Sequence, residues 1–255
     1  MEDDRSELAP KRHILVFGAT GTLGAVVASR LAENGYTLLL AGRDFAKLET
    51  LRKSLPNSTE HTSFSPSLNA ANWDKEFKEV ANLSGPLDGM VVTAGRHAIK
   101  LLRHLVEEDF QEILYSNVTL PALLLRAFRQ KSVRGVNASV VFVSSVASTT
   151  YEPGLALYSA SKAALEALAK TMAIELKSEK IRVNVVQPGL FESPTTDKIE
   201  RTIGTENFSK LEGVDREYIG KPESVANVVD FLLSSRSAWV NGATFTVDGA
   251  YSLAR

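Results

Sequence analysis

The chain has 255 residues, 44% of them hydrophobic and 23% charged, an average globular composition that allows one sizeable core. Its 29 basic and 30 acidic residues leave a net charge of −1, which gives no general positive field to collect nucleic-acid phosphates. Cysteine is absent, which removes disulfide frameworks, thiolate zinc sites and cysteine nucleophiles together. The opening stretch Met1-Glu2-Asp3-Asp4-Arg5-Ser6-Glu7 is acidic and has no apolar leader. No run approaches the ~18 apolar residues of a membrane span. Residues 1–10 therefore read as a flexible extension, 11–255 as a single domain without linker or repeat, and the protein as soluble and cytoplasmic, with no membrane or nucleic-acid partner. Short apolar runs rich in β-formers alternate with helical patterns: 13–17 then 23–33, 37–41 then 46–54, and further strands at 90–92, 139–143 and 183–186.

That alternation implies βαβ units and a parallel sheet, and the run Ser139-Val140-Val141-Phe142-Val143 has no polar face to offer water. A doubly wound α/β fold with helices on both faces follows. Asp44 is placed to cap one helix through its side-chain oxygen, and Pro222 with Glu223 suits the first turn of another over 224–233. The polar stretch 194–220, with both signs of charge and three glycines, reads as a substrate lid. Of the four histidines, His97 and His104 upstream of Glu107, Glu108 and Asp109 form the one metal-like grouping, and its spacing suits solvated loop and helix residues better, so no metal is expected.

Two segments carry chemistry. Gly18-Ala19-Thr20-Gly21-Thr22-Leu23-Gly24 joins the first strand to the first helix, where glycines allow a tight turn and free amides at the helix start accept a pyrophosphate; a plain sharp βα turn has the same letters. The next strand ends in Arg43-Asp44, where a carboxylate on the ribose would mark NAD. A guanidinium there suits a 2′-phosphate and favours NADP(H) over NAD(H), while Asp44 is a helix cap, a partner of Arg43 or a ribose contact. The second segment is Tyr158-Ser159-Ala160-Ser161-Lys162 behind Ser144-Ser145. On a helix, Tyr158 and Lys162 share a face, roughly 6 Å apart along the axis. A lysine charge ~4 Å from the phenol is worth up to ~4 kcal/mol at an effective dielectric of about 20, enough to bring a tyrosine towards neutral pH. Ser145 can polarise the carbonyl that Tyr158 protonates, although a surface helix also explains the pair.

Taken in order, Gly18 to Gly24, Leu87-Asp88-Gly89-Met90-Val91-Val92-Thr93-Ala94-Gly95, Asn117, Ser145, Tyr158 with Lys162, Asn184-Val185-Val186-Gln187-Pro188-Gly189 and Val247-Asp248-Gly249 resemble the short-chain dehydrogenases/reductases over nearly the whole chain. The resemblance implies a single-domain Rossmann fold with a seven-stranded sheet. It implies Tyr158 as proton donor, Lys162 lowering its pKa and binding the nicotinamide ribose, Ser145 holding the substrate oxygen, and Asn117, in a helix over 113–125, keeping a relay water in place. Cofactor contacts carried over are Gly18, Thr20, Gly21, Thr22, Leu23, Gly24, Arg43, Ala94, Gly95, Tyr158, Lys162, Pro188, Gly189 and Ser193. Four departures stand out: Thr22 where the family's middle glycine would be, Val92-Thr93 for two asparagines, Ser67 with Leu68 at the adenine side in place of an aspartate, and Ala250 for a second glycine.

The resemblance implies an NADPH-dependent carbonyl reductase acting on a ketone, aldehyde or secondary alcohol, a 3-oxoacyl thioester among the candidates. Glu166, Glu175 and Glu179 interleave with Lys170, Lys177 and Lys180, so no uniform basic dock for an acidic carrier protein is visible. Arg96, His97, 146–157, Leu190-Phe191 and 194–220 fall where the family builds its substrate pocket. A non-catalytic dinucleotide sensor and a nucleotide-sugar epimerase or dehydratase are the competing readings on this fold. Helices over 101–125 and 155–176, with Leu120, Leu123, Leu124 and Ala127 on one and Ala164, Leu168 and Met172 on the other, resemble those that pair family subunits into a homodimer or homotetramer.

Overall fold

The computed structural model describes residues 11–67, 70–193, 196 and 219–254. The extension 1–10, Leu68 and nearly all of the lid 194–220 lie outside the described residues. Seven strands form one parallel sheet in the order β3-β2-β1-β4-β5-β6-β7: β1 (His13–Phe17), β2 (Thr37–Ala41), β3 (Thr62–Phe64), β4 (Leu87–Val92), β5 (Arg134–Val143), β6 (Arg182–Pro188) and β7 (Thr244–Val247). The strand order reverses between β1 and β4, so a crevice opens at their carboxyl ends.

Successive side chains on a strand face opposite ways, and the two faces feed two separate cores. Leu15, Phe17, Leu39, Met90, Val140 and Phe142 pack beneath α3 (Trp73–Ser84), α5 (Leu120–Phe128) and α6 (Ala156–Glu175). Ile14, Val16, Leu38, Leu40, Val91 and Val141 face α1 (Thr22–Glu33), α2 (Phe45–Ser54) and α7 (Pro222–Leu233). The last carbonyls of α7 would be orphaned, but Arg182 and Ser139 donate to the Leu232 carbonyl at 2.9 and 2.7 Å, and Arg12 donates to that of Leu233.

The strands expected at 90–92, 139–143 and 183–186 all run longer than their apolar stretches, because pairing continues through Leu87, Arg134 and Pro188. The helix expected over 101–125 is instead three pieces: a single turn at Leu102–His104, α4 (Glu107–Leu114), and α5, joined by a wide π-type turn at Tyr115–Thr119. The Leu120 amide reaches back five residues to the Tyr115 carbonyl. Pro121, in the first turn of α5, has no N–H to give the Asn117 carbonyl, and the chain widens there rather than continuing as regular α-helix.

Candidate active site

The glycine loop leaves the carboxyl end of β1 as a close turn. The Gly18 amide donates to the Ala41 carbonyl at 2.8 Å and that of Gly21 to the Gly18 carbonyl at 3.0 Å. Gly18 has φ +89°, and a Cβ on it would sit 2.6 Å from the Ala94 nitrogen; one on Gly24 would sit 2.1 Å from the Gly18 carbonyl oxygen. These two glycines are therefore required by space, while Gly21 is less crowded. Thr20 and Thr22 are exposed at the rim, the Leu23 side chain is buried in the core, and no side chain caps the start of α1. Its first amides are thus presented to the crevice, as a pyrophosphate would require. The Thr93 hydroxyl ties the end of β4 to this loop, lying 3.1 Å from the Phe17 carbonyl oxygen and 3.2 Å from that of Gly18.

Beyond β2, Asp44 caps α2 by accepting from the Lys47 amide at 3.1 Å and pairs with the Lys47 ammonium at 3.5 Å. It does not pair with Arg43, whose exposed guanidinium meets no carboxylate among the described residues. Ser67 stands past the end of β3 with its amide donating to Glu76 at 3.0 Å and its carbonyl accepting from the Trp73 indole at 2.9 Å, so that edge of the crevice is fixed.

The reacting groups meet at the carboxyl ends of β4 and β5. Ser145 follows β5, its hydroxyl accepts from the Ala147 amide at 3.2 Å, and the same hydroxyl acts on the Tyr158 phenol. Lys162 lies one helical turn beyond Tyr158, is buried, and donates from Nζ to the Val143 carbonyl at 2.9 Å. A Cβ on Gly95 would come within 3.2 Å of Lys162 Nζ and 3.3 Å of Asn117 Oδ1, so Gly95 must be small to let both approach. Asn117 sits in the π-type turn rather than in a regular helix; its amide accepts from the Arg96 amide at 2.7 Å and donates to the Arg96 carbonyl and the Ser161 hydroxyl, each at 2.9 Å. It thereby clamps the loop after β4 to α6.

Electrostatics differ from expectation in one respect. Burial raises the Tyr158 phenol above its ordinary value, and the opposing pull comes from the Ser145 hydrogen bond. Lys162 exerts less influence on the phenol than the spacing suggests because its ammonium is held by the Val143 carbonyl, 5.8 Å from the centre of the Tyr158 ring. Burial brings Lys162 itself down to about 8, with the charge of Glu166 acting against that fall. His97 packs edge-on against Tyr158, ring centres 4.6 Å apart, and desolvation together with the Lys162 charge lowers its pKa. A cavity of about 140 Å³ opens beside it, where Arg96 and Lys100 are neutralised by Glu112 and Asp109 at 2.9 and 2.5 Å.

On the far side of Ser145, Pro188 ends β6 and Gly189 follows it, its amide donating to the Val247 carbonyl at 3.0 Å. The Ser193 hydroxyl accepts from the Thr196 amide at 3.1 Å and lies 2.9 Å from the Thr196 hydroxyl, a capping role. Glu166, counted from sequence among alternating helix charges, is instead buried at 8% exposure, and Ser144 and Ser148 bond to it. Gly95 and Asn117 thus close on Lys162, one helical turn from Tyr158, while Arg43 and Ser67 lie on the loops after β2 and β3.

No helix of the described residues is long and apolar enough to cross a membrane, and no grouping among them has the makings of a metal site. The family model described as Enoyl-(Acyl carrier protein) reductase matches residues 18–252. Nodulation protein G of Rhizobium meliloti is 32% identical over 95% of this chain and 97% of its own. The NADP-dependent (R)-specific alcohol dehydrogenase of Lentilactobacillus kefiri is 29% identical over 93% of this chain and 95% of its own. The solved structure of a short-chain type dehydrogenase/reductase from Mycobacterium ulcerans superposes with a TM-score of 0.85 at 26% identity, covering 95% of this chain and 90% of that one. With a crevice shaped for a dinucleotide and a match that runs from the glycine loop to the last turn, the chain belongs to the short-chain dehydrogenases/reductases and is an NAD(P)-dependent oxidoreductase.

Proposed function

We propose that the protein is an NADPH-dependent carbonyl reductase, exchanging a hydride between nicotinamide and a ketone, aldehyde or secondary alcohol. The observation that carries this reading is Lys162, buried one helical turn beyond Tyr158 with its Nζ at the Gly95 approach, together with Ser145 acting on the same phenol. The space at Gly18 and Gly24, with the uncapped start of α1, fits a pyrophosphate, and Arg43, with no carboxylate partner among the described residues, fits a 2′-phosphate. The nicotinamide, when bound, supplies or accepts the hydride. Tyr158 Oη then gives its proton to the carbonyl oxygen, Ser145 Oγ donates a hydrogen bond to that same oxygen, and Lys162 Nζ holds positive charge beside the ribose. Asn117 fixes the loop carrying Gly95, and its own carbonyl, which Pro121 cannot serve, is the group proposed to hold a relay water.

The cations around the cavity beside His97 are already paired, which favours an uncharged carbonyl substrate over an anionic one. A 3-oxoacyl thioester remains within this class, as does the substrate of an alcohol dehydrogenase. Pairing of two copies through α4, α5 and α6 accords with the partial exposure of Phe110, Leu114 and Tyr115, and a monomer by light scattering at micromolar concentration would refute it. The principal test is fluorescence titration with NADPH and NADH, then NADPH oxidation against ketones and 3-oxoacyl thioesters. Tyr158→Phe is expected to keep NADPH binding and lower turnover about 10²- to 10⁴-fold. Failure of the wild type to bind either nucleotide would overturn the reading.

A further inference from the structure

Glu166 lies one helical turn beyond Lys162 and is buried, facing the ends of β5 and β6 rather than solvent. One of its carboxylate oxygens, Oε1, receives the Ser144 hydroxyl at 2.6 Å, the Ser148 hydroxyl at 2.6 Å and the Gln187 amide at 3.2 Å. Ser144 and Ser148 bracket Ser145, and Gln187 immediately precedes Pro188-Gly189. Gln187 also donates to Ser148 at 2.7 Å and accepts from Thr246 of β7 at the same distance, so the network spans three neighbouring strands. A buried carboxylate with this many donors is fixed in place, because any rotation would leave hydroxyls unpaired.

We propose that Glu166 is a positioning residue for the reaction: one carboxylate oxygen gathers the turn that presents Ser145, while the carboxylate stands one helical turn from the buried Lys162 ammonium as its counter-charge. This inference rests on the carbonyl-reductase reading for its consequence, since it is there that Lys162 and Ser145 act. The groups facing Lys162 are Tyr158 and Glu166 on its own helix, His97 and Gly95 from the loop after β4, Asn117 from the π-type turn and the Val143 carbonyl from β5. Glu166 supplies the negative charge among them. His97 carries charge of the same sign as Lys162 only once protonated, and its pKa is lowered, so it does not support the ammonium. Burial alone drives the lysine towards neutrality, and Glu166 is the counterweight.

The test is carried out first without any nucleotide. In protein labelled with ¹³C at lysine Cε, the Lys162 resonance, assigned by its loss in Lys162→Met, is titrated in the wild type and in Glu166→Gln. The expected result is a downward move of the midpoint in Glu166→Gln of at least about half a pH unit, a three-fold loss of proton affinity. The alkaline limb of the turnover profile should move down with it. Ser148→Ala, which keeps the carboxylate and removes one clamp, should leave the midpoint in place and lower kcat evenly at all pH values. An unchanged midpoint in folded Glu166→Gln would overturn the electrostatic role. If Glu166→Gln does not fold, a downward shift of about half a pH unit in Ser148→Ala, which keeps the carboxylate, would overturn it instead. An unaltered kcat in Ser148→Ala would overturn the clamping role. The titration reads Lys162 whether or not a carbonyl is ever reduced, so its failure is separable from failure of the functional reading.

Discussion

Replacing Lys162 by methionine gives a variant of similar length without the buried charge. A lysine brought from 10.5 to about 8 by burial disfavours folding while it is charged. Between these two values the unfolded chain binds the proton more tightly than the folded one, so stability rises with pH from about 8 towards 10.5, and the cost is fully present below about 8. Worked through, the charge costs roughly 3 kcal/mol at about pH 7.5 and roughly 1.5 kcal/mol at about pH 9.5. Removing the ammonium also strips the Val143 carbonyl of its donor, a loss of about 1–3 kcal/mol that does not vary with pH, so the absolute change at neutral pH is small. The informative quantity is the difference: the advantage of Lys162→Met over the wild type should shrink by roughly 2 kcal/mol between the two pH values. Urea unfolding at both, without nucleotide, measures it, and turnover should be lost throughout. A gap that stays constant would show that Lys162 titrates near its ordinary value, and the account of its burial would fail.

Gly24→Ala puts a methyl 2.1 Å from the Gly18 carbonyl oxygen, and neither backbone can yield without opening the loop. NADPH affinity by fluorescence titration should fall at least about ten-fold, a loss of some 1.4 kcal/mol or more, and an unchanged affinity would show that the loop does not hold the phosphates. Arg43→Asp replaces an exposed guanidinium by a carboxylate and should shift the NADPH-to-NADH affinity ratio about ten- to a hundred-fold towards NADH, the worth of a charge-assisted contact. An unchanged ratio would remove Arg43 from the cofactor site. Ala250 has φ +70°, a left-handed conformation that costs an alanine about 1–2 kcal/mol, so Ala250→Gly should stabilise by about 0.5–1 kcal/mol after the added chain entropy of glycine. A thermal melt should move up by about 1–4 °C, and a decrease would mean that the alanine methyl packs usefully.

The sheet's interior was legible because β1 and β2 are nearly unbroken apolar runs and β4, β5 and β6 each carry a mostly apolar stretch, which a strand buried on both faces demands. β3 is three residues long, too short for a period to register, and it exists because Leu39 and Leu40 of β2 offer it an edge. In α3 the buried Trp73, Phe77 and Ala81 recur every fourth residue, a helical signal that nearby polar residues dilute. The reacting groups were legible by type and spacing, since Tyr158 and Lys162 need only a helix to meet. Glu166 was not: four residues from Lys162 and four from Lys170, it reads as one more surface charge until β5 and β6 close over it. The direction of the Lys162 ammonium was hidden for the same reason, because the Val143 carbonyl that takes it belongs to another element.

The wide turn at Tyr115–Thr119 acts as a phase shifter. Each residue of an α-helix advances the face by about 100°, so an uninterrupted helix through α4 and α5 would fix where Leu124, Leu125 and Phe128 point once Asn117 is aimed at Arg96 and Ser161. The extra backbone in the turn decouples the two requirements, letting one stretch of chain aim an amide at the reacting centre and, roughly two to three turns later, bury three large side chains against the sheet. Deleting one residue between 117 and 121 would restore regular winding and rotate one of these faces away from its target. Length at this point therefore carries as much information as residue identity.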